Sequence, residues 1–130
     1  MSDDVRPMNQ LPEDVRAYAA REVVRRYRSV EANFAEKLRR NVRRNFKVTL
    51  SFPEIDRLLR HYTEVYRLSA RLFPEFLYPP PVPLPPDKYA SEDDVDMKGF
   101  MKRLEREYPD EPLKVIDLVA YYTLFYEHLK

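Results

Sequence analysis

The stretch Arg16–Lys47, RAYAAREVVRRYRSVEANFAEKLRRNVRRNFK, decides how the rest of the chain is read. It holds eleven basic residues against three acids (Glu22, Glu31, Glu36), a net charge of +8. Residues 1–15 carry −3 and residues 48–130 carry −4, so the formal charge of +1 conceals a strongly polar chain. No proline or glycine interrupts the stretch. At about 100° per residue, Val23, Tyr27, Val30, Phe34 and Leu38 fall on one stripe, with Ala20 beside it. Arg21, Arg25, Arg28, Arg39 and Arg43 fall near the opposite side, flanked by Arg40 and Lys47. The pattern predicts one amphipathic helix from about 12 to 40, with a kink or break near Asn41–Asn45, where asparagines interrupt the stripe. Pro12, Glu13 and Asp14 suit its first turn.

Working outward, residues 1–10 read as extended or disordered, and the acidic, polar beginning does not resemble a secretory signal peptide. After Lys47, the residues KVTL are β-branched enough for a short extended link. Ser51-Phe52-Pro53-Glu54 is a capping-box pattern with proline in the first turn. It opens a second helix to about Phe73 with a wide apolar face (Ile55, Leu58, Leu59, Tyr62, Val65, Tyr66, Leu68, Leu72, Phe73). Pro74 stops it. Tyr78–Pro86, YPPPVPLPP, has six prolines in nine positions and excludes helix or central strand. It reads as a polyproline connector packed by Tyr78, Val82 and Leu84, or as a ligand for aromatic grooves.

Ser91 with Glu92, Asp93 and Asp94 opens a third helix whose core face is Val95, Phe100, Met101, Leu104 and Tyr108. Gly99 in it marks a close helix crossing or is incidental. A fourth helix, about 111–128, is apolar nearly all round. That implies burial on every side, and hence contact with another subunit. The expected fold is all-α: a long basic helical arm with a break (1–50) and a small C-terminal helical assembly bundle (51–130) containing the Pro-rich connector 74–90.

Composition excludes several classes. One glycine, against a usual share of about 7%, removes the P-loop, the G-x-G-x-x-G loop and the G-x-S-x-G elbow, and disfavours hairpin-rich β folds. No cysteine means no disulfide and no thiolate site. No segment has the roughly 18 consecutive apolar residues of a membrane span. His61-x-x-Glu64 lies on one helix face, but the second Glu-x-x-His copy and extra glutamates of a diiron bundle are missing. No metal, cofactor, small-molecule substrate or catalytic group is expected. Absent cysteine, a single glutamine (Gln10), arginine in excess of lysine and Pro-rich loops lean towards a thermophilic source.

The eleven cations are therefore the candidate site: Arg16, Arg21, Arg25, Arg26, Arg28, Lys37, Arg39, Arg40, Arg43, Arg44 and Lys47. A merely solvated face would mix signs into i,i+4 pairs, and only a few exist, such as Glu22–Arg26 and Glu36–Arg40. Nine of the eleven are arginine, whose planar fork suits phosphate oxygens. The helix is too long and too uniformly basic for a recognition helix in a major groove, which points to backbone contact along a double-stranded DNA. Asn33, Asn41 and Asn45 are candidates for supplementary polar contacts. A small dimeric helical transcription regulator is the alternative; an adaptor working through PPPVPLPP is a third reading.

An Arg-rich N-terminal helical arm, a break, and a C-terminal bundle ending in an apolar helix, in 130 residues, resemble the major capsid proteins of filamentous archaeal viruses. These are the rod-shaped and lipid-enveloped filaments of hyperthermophiles, the tristromavirus group included. The resemblance implies a virion nucleocapsid assembled in the host cytoplasm. Paired identical or homologous subunits would wrap linear duplex DNA in A-form, under an envelope that no segment spans. It would set Arg21, Arg25, Arg28, Arg39, Arg40, Arg43, Arg44 and Lys47 against phosphates. The Pro-rich segment 79–86 has no counterpart in that pattern.

Overall fold

Local signals start and stop most of the helices, and tertiary packing sets the rest. A computed structural model describes residues 5–27, 33–78 and 91–129. Among these there are five α-helices and no strand: α1 (Glu13–Arg25), α2 (Phe34–Phe46), α3 (Phe52–Leu72), α4 (Met97–Glu107) and α5 (Leu113–Leu124).

Helix α3 is the spine. The Ser51 side chain accepts from the Glu54 amide and the Glu54 carboxylate accepts from the Ser51 amide, so the capping box forms as read. Ile55, Leu58, Tyr62, Val65, Tyr66, Ser69 and Leu72 recur at three- and four-residue steps and are buried. Pro74 diverts the chain into a 3-10 turn, Phe73–Phe76. Helices α1 and α5 pack on α3 and on each other, and α4 closes over α5. Inside, Ser69 and Thr123 share a 2.7 Å hydroxyl contact between α3 and α5, with Thr123 also donating to the Val119 carbonyl.

The expected helix from 12 to 40 is two helices. Helix α1 ends at Arg25 and α2 begins at Phe34. A straight helix of that length, about 40 Å at 1.5 Å per residue, would run past the end of its partner α3, whose 21 residues span about 32 Å. Breaking it lets α1 bury Val15, Ala19, Ala20, Val23 and Val24, while α2 separately buries Phe34, Leu38 and Val42. The break expected at Asn41–Asn45 is absent, and α2 runs through both asparagines to Phe46. Val42 between them is fully buried, and that burial outweighs the few tenths of a kcal/mol of helix propensity lost at each asparagine.

Buried side chains between Leu11 and Leu50 share one hydrophobic core with those between Ile55 and Leu124, so among the described residues α1 and α2 pack with the later helices. The third helix starts later than read. Ser91 caps a 3-10 turn, Glu92–Asp94, and Val95 then forms an antiparallel bridge with Leu77. Asp96 caps α4 by accepting from the Gly99 amide at 3.0 Å. Gly99 marks neither a helix crossing nor an accident: a Cβ there would lie 2.3 Å from the Asp96 carboxylate. The last helix ends at Leu124 and widens into a π-type turn, Phe125–Leu129. Its outer side is uncovered, with Leu113 63%, Tyr121 51% and Phe125 49% exposed. The polyproline segment expected at 79–86 lies outside the described residues.

Candidate polyanion-binding surface

Phe34, Leu38 and Val42, at i, i+4 and i+8, anchor one side of α2 to the core. The opposite side must then face water, and it carries the exposed side chains Lys37, Arg40, Arg43, Arg44 and Lys47. Arg40, Arg43, Arg44 and Lys47 come together with Thr49 around an open depression of about 460 Å³. Among the described residues lining it there is no carboxylate, and none of its four cations has an ion-pair partner among the described residues. Basic residues in the last turn of a helix ordinarily offset the macrodipole, but that dipole amounts to only about −0.5 charge. Four full positive charges exceed it several-fold and repel one another, an arrangement that an anion would relieve.

Two features shape the depression. Lys47 follows α2 in the left-handed region (φ 59°, ψ 29°), where its amide donates to the Arg43 carbonyl. For a residue with a Cβ this conformation costs about 1–2 kcal/mol, and glycine is the usual occupant. Val48–Leu50 then lead into α3, and Thr49 is held from outside the depression. Arg6 grips the Glu54 carboxylate in a bidentate pair (Nε–Oε2 2.7 Å, Nη2–Oε1 3.0 Å) and donates to the Thr49 carbonyl at 2.9 Å. Arg57 in turn donates to the Arg6 carbonyl. Arg39 donates to the Leu50 carbonyl at 3.0 Å, with its guanidinium 4.8 Å from the centre of the Phe52 ring. Thr49 and Phe52 escape a charge count, and Arg6, Arg57 and Glu54 act only through the fold.

Lys47→Gly separates these roles. Relieving the left-handed lysine is expected to raise stability by about 1 kcal/mol, a few degrees in melting temperature. The same change removes one cation and lowers polyanion affinity. Opposite signs in a thermal melt and a binding titration check this.

The Glu54 carboxyl is held down at about 2, principally by the Arg6 side chain and further by the Ser51 and Arg6 amides, against the opposing effect of burial. A depressed carboxyl stabilises the fold fully above its unfolded value near 4.5. The contribution, on the order of 3 kcal/mol, is lost as pH falls from there through about 2. Melting curves between pH 5 and pH 2 are expected to fall more steeply for the wild type than for Arg6→Met.

The remaining candidates divide. Arg16 is in the core, its side chain 5% exposed, with Nη2 3.0 Å from the Glu111 carboxylate. That pairing occupies its guanidinium, and it does not reach the surface as the charge count implied. Arg21, Arg25 and Arg26 converge on the buried Glu22 carboxylate at 3.7, 3.4 and 3.2 Å. Arg21 also lies over Tyr18 and Arg26 over Phe34. They form a partly neutralised cluster, of which only Arg25 is exposed. Arg28 lies outside the described residues.

His61 does not join Glu64. Its Nε2 is 2.7 Å from Glu111, and among the described residues no group of three metal-type side chains assembles. Among them, too, no helix is long and apolar enough to cross a membrane. Comparison with protein-family models, with curated proteins and with solved structures returns no match.

Proposed function

We propose that the protein is a structural DNA-packaging subunit. It grips the phosphate backbone without regard to sequence and polymerises on linear double-stranded DNA as a helical nucleocapsid. The observation that carries this reading is the depression formed by Arg40, Arg43, Arg44 and Lys47, four cations with no carboxylate among the described lining residues. Arg40 to Lys47 spans about 10 Å of helix. Over that length a duplex presents about six phosphates, counting both strands. Thr49 adds a hydroxyl, and the exposed Lys37 extends the positive face along α2.

The arm that the capsid-protein resemblance implies corresponds to α1 and α2. Lifting α1 away would expose Val15, Ala19, Ala20, Val23 and Val24 and strand the buried Arg16–Glu111 pair. We therefore assign the contact to the outer face of α2 with the core intact, the duplex lying against it. The uncovered side of α5, with Leu113, Tyr121 and Phe125, supplies apolar surface for the subunit–subunit contact that polymerisation needs. In a virion these faces would look to the genome and to neighbouring subunits respectively.

Electron microscopy of the purified protein with and without linear duplex DNA tests the reading. Regular filaments that require DNA and form on any sequence are expected. A single preferred operator, or no complex at low salt, would overturn it.

A further inference from the structure

Phe52 is an aromatic ring covered by Arg39 of α2, and the core does not use it. It is the first residue of α3, 56% exposed, and lies outside the hydrophobic cluster. Arg39 covers one face of the ring, its guanidinium 4.8 Å from the ring centre, and is itself fixed by its bond to the Leu50 carbonyl. A ring backed by a guanidinium on one side and open to water on the other is a stacking platform with its cation already in place.

Its position matters as much as its exposure. Thr49, which lines the depression, is three residues from Phe52, so at most about 10 Å of backbone separates them. Arg39 precedes Arg40 by one residue and Arg43 by four, so the residue that backs the ring is on the same helix as the cations. A subsite built from both requires that a phosphate seated among Arg40, Arg43 and Arg44 place its own nucleoside against the ring. In a fully paired duplex that base is stacked and unavailable.

We infer that the α2 depression and Phe52 together form a subsite for an unstacked nucleotide, the phosphate on the cations and the base on the ring. The chemical class is a nucleic-acid strand with exposed bases: a single strand, a frayed end or a locally opened duplex. This deepens the polyanion-binding reading of the same surface and rests on it, adding a contribution from the base that backbone contact alone lacks.

The test compares a labelled single-stranded thymidine oligonucleotide with an abasic oligonucleotide of the same length and charge, by fluorescence anisotropy at low salt. Stacking of one base is expected to make the wild type bind the base-bearing strand about 5- to 150-fold more tightly. Phe52→Ala brings that strand down to the affinity of the abasic one. Phe52→Leu, which keeps an apolar side chain without a π face, does the same, and a thermal melt confirms that both variants fold. Equal binding of the two strands by the wild type would overturn the inference while leaving the backbone reading standing. So would a parallel drop for both strands in Phe52→Ala. If neither strand nor a duplex binds, the backbone reading fails with it.

Discussion

Replacing Arg40, Arg43 and Arg44 together by glutamine is expected to abolish most DNA binding while leaving the fold in place. If the four cations of the depression each neutralise one phosphate, the logarithm of the binding constant falls with the logarithm of salt at a slope of about −3.6. Removing three leaves a slope of about −0.9. Counted from 1 M salt, the difference at 50 mM is about three and a half orders of magnitude in affinity. All three side chains are exposed and none has an ion-pair partner among the described residues. The loss of stability is therefore limited to the dipole interaction at the end of α2, a few tenths to about 1 kcal/mol per residue. Titrations of one duplex at several salt concentrations, beside a thermal melt, read both effects. An unchanged salt slope would show that the α2 face is not where DNA is held. The same substitution at Arg21, Arg25 and Arg26 is expected to do much less, because Glu22 already offsets part of their charge.

The contrast between these two arginine clusters shows what the amino-acid sequence could and could not reveal. The exposure of Arg40, Arg43, Arg44 and Lys47 was legible from the cationic face opposite the apolar Phe34 and Leu38, although the helix that carries them was expected to break among them. The capping box of Ser51 and Glu54, the stop at Pro74 and the apolar run of α5 were legible for the same reason: each signal acts over a single turn or a single element. The break between α1 and α2 was not, because no proline or glycine marks it. It follows from the length of the partner helix available for packing, a tertiary quantity. Asn41 and Asn45 misled for the converse reason: a weak local preference gave way to the burial of Val42. Gly99 was ambiguous until the carboxylate of Asp96 was seen in the space its missing Cβ leaves. Phe52 was hidden inside a helix-start pattern, where its neighbours Ser51, Pro53 and Glu54 carry the signal.

Arg16 is the clearest case of an unreadable residue, and it carries the largest expected effect on stability. Glu111 forms an ion pair with Arg16 at 3.0 Å, accepts from the Tyr62 hydroxyl at 3.0 Å and pairs with His61 Nε2 at 2.7 Å, with its side chain only 4% exposed. Burial alone would raise its carboxyl, but His61, Arg16 and Tyr62 outweigh burial and hold it below the usual range. Its contribution is therefore complete above the ordinary carboxylate range and is lost as pH falls below it. Glu111→Gln keeps the shape and removes the charge, leaving the Arg16 guanidinium buried without a counter-ion. Such a break costs about 3–5 kcal/mol, a large part of a typical total stability of about 5–15 kcal/mol. For a chain of this size the melting temperature should fall by more than about 10 °C. Replacing the whole group with apolar residues, Arg16→Met with Tyr62→Phe and Glu111→Leu, is expected to recover most of the loss, since no buried charge is then unpaired. Arg16→Met alone, titrated with DNA at a temperature where it remains folded, should bind with the wild-type affinity and salt slope. A reduced slope in that variant would mean that Arg16 leaves the core to meet phosphate, and that α1 does lift away from α3 and α5 when DNA binds.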